Sequence, residues 1–479
     1  MPKKCCLLVI MICLLTSSAF NAAAGQSARD TNLQSAFESD NLTLREIQLV
    51  PDFAGYTLRV SAAVYAQKAE MEGTAPTYPA DGEWVTLDLN SQDFHAAPYF
   101  FSPDGSKAIL MDEEHAYILS GNVITMILPN YLRGVRDEYA SFSRFLKMKP
   151  TQWAGSEGLI WSPDGRYAVL TSYATTLIRG QFIYGLYLID TQTGELFCAD
   201  TYPNMLMDGG ASVFQACFDE TGRYVYYMLW GSLYEDSRIS LMRYDMQTGM
   251  KQRLLACPHF AAYPKLQLDS AGRLFNLLDN TKANEPLGLS VYQQEDGNWV
   301  STAYTFSKPM AAIRPMYMEI GSADMGVMLH NLSFQGKSSM AVGRFFADGS
   351  LTGYDELLLI EGFDAPRASI LPLPAYGDGS ELGKKTENGR VLLCLNIQLS
   401  PDGRYAMILA TDRKSNRFLM MDMATLELKK VESPSGTASL SAGRSNPMSM
   451  AYPCGYNWFE GNKLIILTED GLKLYEFAF

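Results

Sequence analysis

Three stretches of the chain are near copies of one another: FSPDGSKAILMD at 101–112, WSPDGRYAVLTS at 161–172 and LSPDGRYAMILAT at 399–411. In each, proline pre-sets φ for the first corner of a type I turn, and aspartate can hydrogen-bond its own backbone. Glycine takes the left-handed conformation that follows. A type I turn closed by a left-handed glycine joins two antiparallel strands through a bulge. The strand that follows, YAVLT in the second copy, is apolar at consecutive positions, so both of its faces are expected to be covered. Weaker copies stand at 217–229 (CFDETGRYVYYML), 268–278 (LDSAGRLFNLL), 321–329 (GSADMGVML) and 458–468 (WFEGNKLIILT). The turns fall near 105, 165, 222, 272, 325, 403 and 461, most of them about 50–60 residues apart, and the one long interval holds an insertion.

After the turn strand come two further strand-like stretches around a polar hairpin loop, as in GLYLIDTQTGELF (185–197), SLMRYDMQTGMKQRLL (240–255) and FLMMDMATLELKKVE (418–432). Each unit therefore reads as four short antiparallel strands with almost no helical periodicity. A four-stranded sheet of this size cannot bury both faces alone, so the units must pack on one another. Radial closure covers every face and protects the edges. The 479 residues are thus read as one repeat array and not as several unlike domains.

The motif [FW]-S-P-D-G-[RK]-x-apolar, followed by a D-x-x-x-G hairpin, resembles the TolB-like (WD40-like, PD40) β-propeller repeat. The match is strict at 102–105, 162–165 and 400–403, and in loose form it covers about residues 84–479. The resemblance implies an all-β disc around a central channel and implies no activity. Counting turns predicts a seven-bladed β-propeller of four-stranded antiparallel blades, and six or eight blades also fit the spacing. The last turn leaves only two strands before the chain stops. EWVTLDL (83–89) is expected to supply the missing outer strand and close the ring. LTLREIQLV and YTLRVSAAVYA (42–66) read as an added hairpin or part of an eighth blade.

The first 24 residues carry Lys3 and Lys4, an apolar run over 5–15, and Ala22 and Ala24 before Gly25. This is the pattern of a cleaved signal peptide, too short in its apolar part for a membrane span. The expected organisation is signal peptide 1–24, an N-terminal segment with extra strands 25–82, and a propeller domain 83–479. The product is expected to be secreted or held in the periplasm or cell envelope, with no membrane span after cleavage. Removing Lys3 and Lys4 leaves a net charge two units more negative than the −13 of the whole chain. Such a chain repels phosphate backbones, which excludes nucleic acid as a main partner. Of the cysteines, Cys198, Cys217, Cys257, Cys394 and Cys454 remain after cleavage. Their scattered spacing fits neither a disulfide framework nor a zinc site, and they read as structural thiols.

No catalytic motif stands out. His95, His115, His259 and His330 are far apart, and no HExxH, G-x-S-x-G, Walker loop or D-x-D-x-D-G loop occurs. Asp112–Glu113–Glu114 and Tyr234–Glu235–Asp236 read as solvated loops. No cofactor, metal or catalytic residue is assigned. The expectation is a non-enzymatic binding or interaction module, taking a protein or small ligand at one face of the propeller. The alternative is a propeller hydrolase, lyase or oxidoreductase working at the channel mouth. Three long connections mark the face: 130–155, the stretch around 361–390, and 432–458. The first is basic and aromatic, with Arg133, Arg136, Arg144, Lys147 and Lys149 beside Tyr139, Phe142, Phe145 and Trp153. Arg136, Arg144, Trp153, Tyr456 and Trp458 are the candidate contact residues, the aromatics 153, 456 and 458 lying just before inner strands.

Overall fold

The computed structural model of the chain describes residues 38, 42–47, 55–74, 82–88, 99–102, 106–111, 116–134, 159–178, 181–205, 212–234, 237–257, 266–269, 271–277, 288–305, 315–320, 325–330, 356–361, 367–370, 393–400, 404–411, 416–422, 425, 427–432, 456–460, 463–468 and 471–478. Ahead of the repeats lie β1 (Leu42–Ile47), β2 (Thr57–Ser61), helix α1 (Ala62–Glu72) and β3 (Trp84–Leu87). Antiparallel four-stranded units follow. The first is β4 (Tyr99–Phe101), β5 (Lys107–Met111), β6 (Ala116–Ser120) and β7 (Val123–Met126), continued by β8 (Leu128–Gly134). Next come β9 (Leu159–Trp161), β10 (Tyr167–Ile178), β11 (Gln181–Asp190) and β12 (Glu195–Met205). The third unit is β13 (Ser212–Phe218), β14 (Tyr224–Tyr234), β15 (Ser237–Asp245) and β16 (Lys251–Ala256). It is followed by β17 (Gln267–Leu268), β18 (Leu274–Leu277), β19 (Gly288–Glu295) and β20 (Asn298–Thr305). Then come β21 (Pro315–Ile320), β22 (Met325–His330), β23 (Glu356–Glu361) and β24 (Arg367–Ile370), and after them β25 (Leu393–Leu399), β26 (Tyr405–Thr411), β27 (Asn416–Asp422) and β28 (Leu428–Glu432). The chain ends in β29 (Tyr456–Glu460), β30 (Lys463–Thr468) and β31 (Gly471–Ala478).

The units are arranged as the repeat demands. First strands of successive units lie side by side, β9 against β13, β13 against β17, β17 against β21, β21 against β25 and β25 against β29. Fourth strands are accordingly on the outside, the organisation of propeller blades. Both faces of β14 are covered, which is what its unbroken apolar run YVYYML requires. Val225, Tyr227 and Leu229 pack with Val169, Leu188 and Phe197 of the preceding unit. Tyr226 and Met228 pack with Leu266, Leu274 and Tyr292 of the following one.

The S-P-D-G turn is built as its residues dictate. Gly165 has φ 64°, and its N–H donates to the Ser162 carbonyl at 2.9 Å. The Ser162 hydroxyl accepts from the Tyr167 N–H at 2.8 Å and donates to Asp164 at 2.6 Å, and Asp164 takes the Arg166 N–H at 3.0 Å. In the degenerate copies Asp219 and Asp269 replace the serine and accept the equivalent N–H groups of Tyr224 and Arg273, each at 2.8 Å. The D-x-x-x-G loops follow a second rule. The carbonyls of Asp190 and Asp245 accept from Gly194 and Gly249, each at 2.8 Å, while their carboxylates hold the next N–H groups. In two units the arginine after the turn glycine reaches this aspartate, Arg223 meeting Asp245 at 3.0 Å and Arg404 meeting Asp422 at 3.8 Å, whereas Arg273 bonds the turn residue Asp269 at 2.7 Å.

Closure is made by the N-terminal region, but by a different segment from the one expected. β31 pairs antiparallel with β1, from Thr43 opposite Ala478 to Ile47 opposite Leu474. On its other side β1 pairs parallel with β28, with Leu42 opposite Val431. Arg45 and Glu476 form an ion pair across the seam, and Leu42, Leu44 and Phe477 are buried beneath it. EWVTLDL instead forms β3, which pairs with β2 (Val60 opposite Val85), and β2 runs parallel to β7. Both segments alternate. What decides is the other face: Val85 packs with Val60, Val64 and Leu128 in a small outer core that needs α1 as its lid. Residues 62–66, read as part of an added hairpin or an eighth blade, instead open that helix, which runs to Glu72 and is ended by Gly73 at φ 66°.

Candidate functional site

The strand pairings give each unit two unlike edges. In the sheet β8–β12–β11–β10–β9, β8 is parallel to β12, and the strands from β12 to β9 alternate in direction. The end of β8 at Gly134 and the start of β9 at Leu159 therefore lie on one edge, at opposite ends of the sheet. The same holds for the end of β28 at Glu432 and the start of β29 at Tyr456, which belong to one continuous sheet. The links 206–211, 258–265 and 306–314, from fourth strands to first strands, leave from this same edge of their units, as do 331–355 and 371–392. The opposite edge carries the tight turns, the S-P-D-G turns and the D-x-x-x-G hairpins. The long connections thus leave from one mouth, which also carries the tight β10–β11, β14–β15 and β30–β31 hairpins, while the other mouth has the short, hydrogen-bonded turns.

Tyr456 and Trp458 are within β29, not ahead of it, and Tyr456 is its first residue at the long-connection edge. Arg136, Arg144 and Trp153 lie outside the described residues, as do His95, His115, His259, Cys454 and most of the acidic loops. Arg133, from the same basic stretch, is in β8 and belongs to the scaffold. Its guanidinium bonds Glu195 at 2.9 Å and Asp190 at 3.1 Å and lies 4.0 Å above the Phe197 ring. Burial works against its charge, but the bonds to Glu195 and Asp190 outweigh this and hold its pKa above the ordinary arginine value.

Other charged groups also fasten units to one another. Lys107 of β5 donates to the Gly165 carbonyl and the Thr191 hydroxyl of the next unit, each at 3.0 Å. Asp200 on β12 is fully buried between units, held by Lys251 Nζ at 2.6 Å and the Tyr227 hydroxyl at 2.7 Å. Sequence reading could not find this triad, since its members lie in three strands without a shared motif. Cys198, Cys217 and Cys257 are not in disulfides, in keeping with structural thiols. Burial pushes the Cys257 thiol up to about 12, so it stays protonated and is no nucleophile at neutral pH. Among the described residues no group of three or more His, Cys, Asp and Glu is placed to hold a metal ion. No helix of the described residues is long and apolar enough to cross a membrane.

No protein-family model matches the chain, and no curated protein is similar to it. Solved structures are. TolB from Acinetobacter baumannii is 12% identical, with a TM-score of 0.35, over 76% of this chain and 66% of that one. An oligogalacturonate lyase in complex with manganese is 12% identical with a TM-score of 0.48, over 91% of this chain and 96% of that one. The Swd1 β-propeller domain of Myceliophteria thermophila is 12% identical with a TM-score of 0.40, over 80% and 97%. Likenesses this distant say nothing of function. The chain resembles the TolB-like and WD40-like propellers in its repeat, and the similar structures include TolB and the Swd1 β-propeller domain.

Proposed function

We propose that the chain is an exported, seven-bladed β-propeller that serves as a binding module, with its contacts on the mouth made of long connections. The observation that carries this is the asymmetry of the two edges. Each antiparallel unit counts as one blade, with β1 completing the last. Loops held by a rigid scaffold are where recognition residues concentrate, because they vary without disturbing the blades. The buried ion pairs and turn hydrogen bonds supply that rigidity. Residues 1–24 act as the export signal, and the rest of the N-terminal segment serves as closing strand and outer layer. The protein is released to the envelope or medium, where its mouth takes a protein or small ligand through Arg136, Arg144, Trp153, Tyr456 and Trp458.

The test replaces Arg136, Arg144 and Trp153 together with alanine and follows partner capture from the native envelope together with the melting temperature. Lost capture with an unchanged melting temperature is the expected result. A control, Glu220→Lys, sits on an exposed tight turn of the opposite edge. If capture survives the triple change, or is lost in the control instead, the assignment of the mouth is wrong.

A further inference from the structure

The outer strands of the units are protected in different ways, and one of them is left open. β7 is covered by β2, β12 by β8, and β1 lies between β28 and β31. Among the described residues β16, β20 and β24 remain the outer edges of their sheets. An edge strand offers unpaired N–H and C=O groups to any other chain, and proteins blunt it with charge, proline, a bulge or shortness. β16 carries Lys251, Arg253 and a bulge at Leu254. β24 is four residues long and opens with Arg367. β20 has none of these devices. Its eight residues, NWVSTAYT, include no charge and no proline. They stay in register with β19 from Asn298 opposite Glu295 to Thr305 opposite Gly288. β16 of the preceding unit lies beside β20 but forms no ladder with it.

The hairpin that makes the strand also decides which of its backbone groups are open. Asp296 and Gly297 form a two-residue turn with φ of 47° and 82°, the signs a type I′ turn requires. Glu295 and Asn298 are then a hydrogen-bonded pair, and alternation aims the backbone groups of Val300, Thr302 and Tyr304 at β19. Those of Trp299, Ser301, Ala303 and Thr305 point away from the sheet. Ser301 and Ala303 are exposed, and Val300, Thr302 and Tyr304 are half-buried. The strand is fixed in place by Trp299, whose ring lies 5.4 Å from that of Tyr226 and packs on the core between the two units.

We propose that β20 is the contact between two copies of the chain, which add edge to edge as antiparallel strands about a two-fold axis at Thr302. The occupant follows from the strand's own chemistry. Two chains of net charge −13 repel one another, and β20 offers an approach with no charge in it. Antiparallel addition pairs outward-pointing residues with each other, so Ser301 stands opposite either Ala303 or Ser301 of the other copy. The first register sets Thr302 against Thr302 and Val300 against Tyr304, at the non-hydrogen-bonded sites where side chains come closest. Thr–Thr and aromatic–β-branched pairs are both favourable cross-strand combinations. The second register sets Tyr304 against Asn298 and loses both. The first also makes about eight backbone hydrogen bonds, within the range of a specific interface. Antiparallel addition reverses the strand direction, so the long-connection mouths of the two copies face opposite ways. The contact lies on the outer rim and is independent of the binding face proposed above.

Sedimentation equilibrium of the full-length protein over a range of concentrations is the test, and a reversible monomer–dimer equilibrium is the expected result. Thr302→Lys and Thr302→Glu each set like charges opposite one another across the axis and should weaken dimerisation at least tenfold. Residue 302 is on the face away from Trp299, so the melting temperature should be unchanged at dilutions where the native protein is also monomeric. An equimolar mixture of the two variants should dimerise again, because lysine then meets glutamate. Damage to the fold would not be rescued in this way. Should both variants fold poorly, Ala303→Pro removes one outward-pointing N–H, leaves the bonds to β19 intact and is expected to give the same loss. The proposal is overturned if the native protein stays monomeric, if the folded variants dimerise as the native protein does, or if the mixture stays monomeric. A monomeric native chain that crosslinks through Ser301→Cys to a different envelope protein would assign the edge to that partner and equally refute the dimer.

Discussion

Replacing Lys251 with methionine removes the ammonium that lies 2.6 Å from the Asp200 carboxylate, whose side chain is 0% exposed. What remains is a buried charge held by one hydroxyl, that of Tyr227 at 2.7 Å. Removing one partner of a buried ion pair costs about 3–5 kcal/mol, because the other charge is left without compensation. The Lys251 side chain is 36% exposed, so water reaches the pair and offsets part of this. The expected loss is therefore about 2–3 kcal/mol. Replacing both partners, Asp200→Leu with Lys251→Met, leaves no uncompensated charge and should cost less than the lysine change alone. Urea denaturation is the assay: the midpoint moves while the slope stays constant, and the double-mutant cycle isolates the coupling. A loss under about 0.5 kcal/mol for Lys251→Met, as an exposed surface pair gives, would refute the reasoning. Strict additivity of the two substitutions would do so as well.

Gly165→Val, at a φ of 64° that a β-branched residue resists, should cost about 1–3 kcal/mol, while Arg166→Ala on the exposed side of the same turn should cost almost nothing. Equal urea midpoints for the two variants would contradict the turn geometry. Deleting residues 25–47 removes β1 and opens the edges of β28 and β31, so the product should associate and melt earlier, read by light scattering and thermal denaturation. A monomer that melts like the full chain would show that β1 does not close the ring. The Cys257 thiol keeps its proton in the folded chain up to about 12, whereas the unfolded chain loses it near the ordinary 9.0. Stability should then fall as pH rises through this window, by up to about 1.4 kcal/mol per pH unit, and Cys257→Val should reduce that slope. An unchanged slope in the variant would mean the thiol is not the group responsible.

The turns were legible because their chemistry is local. Pro163, Asp164 and Gly165 determine their own backbone, and the structure shows the same residues making the hydrogen bonds their types require. The two-sided burial of β14 was legible from its unbroken apolar run for the same reason. What could not be read was the choice among equivalent strands. LTLREI and WVTL alternate alike, and only the packing of Val85 on Val60 and Val64 draws the second away from the seam. Helix α1 was hidden in a stretch beginning with the strand TLRVS and continuing through alanines, without an acidic first turn to announce it. The Asp200 triad depends on strand register, which appears only once each turn and bulge has been placed.

The seam between β1 and β31 also sets the order of events at the ribosome. Arg45 and Glu476, which meet across it, are 431 residues apart in the chain. At about 5–20 residues per second, β1 waits roughly 20–90 s after synthesis before its partner exists. During that time it is an apolar, alternating segment with two unpaired edges, and any blade already formed has no closed ring to join. The eight residues of β31 thus act as a latch whose engagement with β1 ends the vulnerable period. Chaperone dependence and truncation sensitivity should concentrate there, at β31, more than at any individual blade.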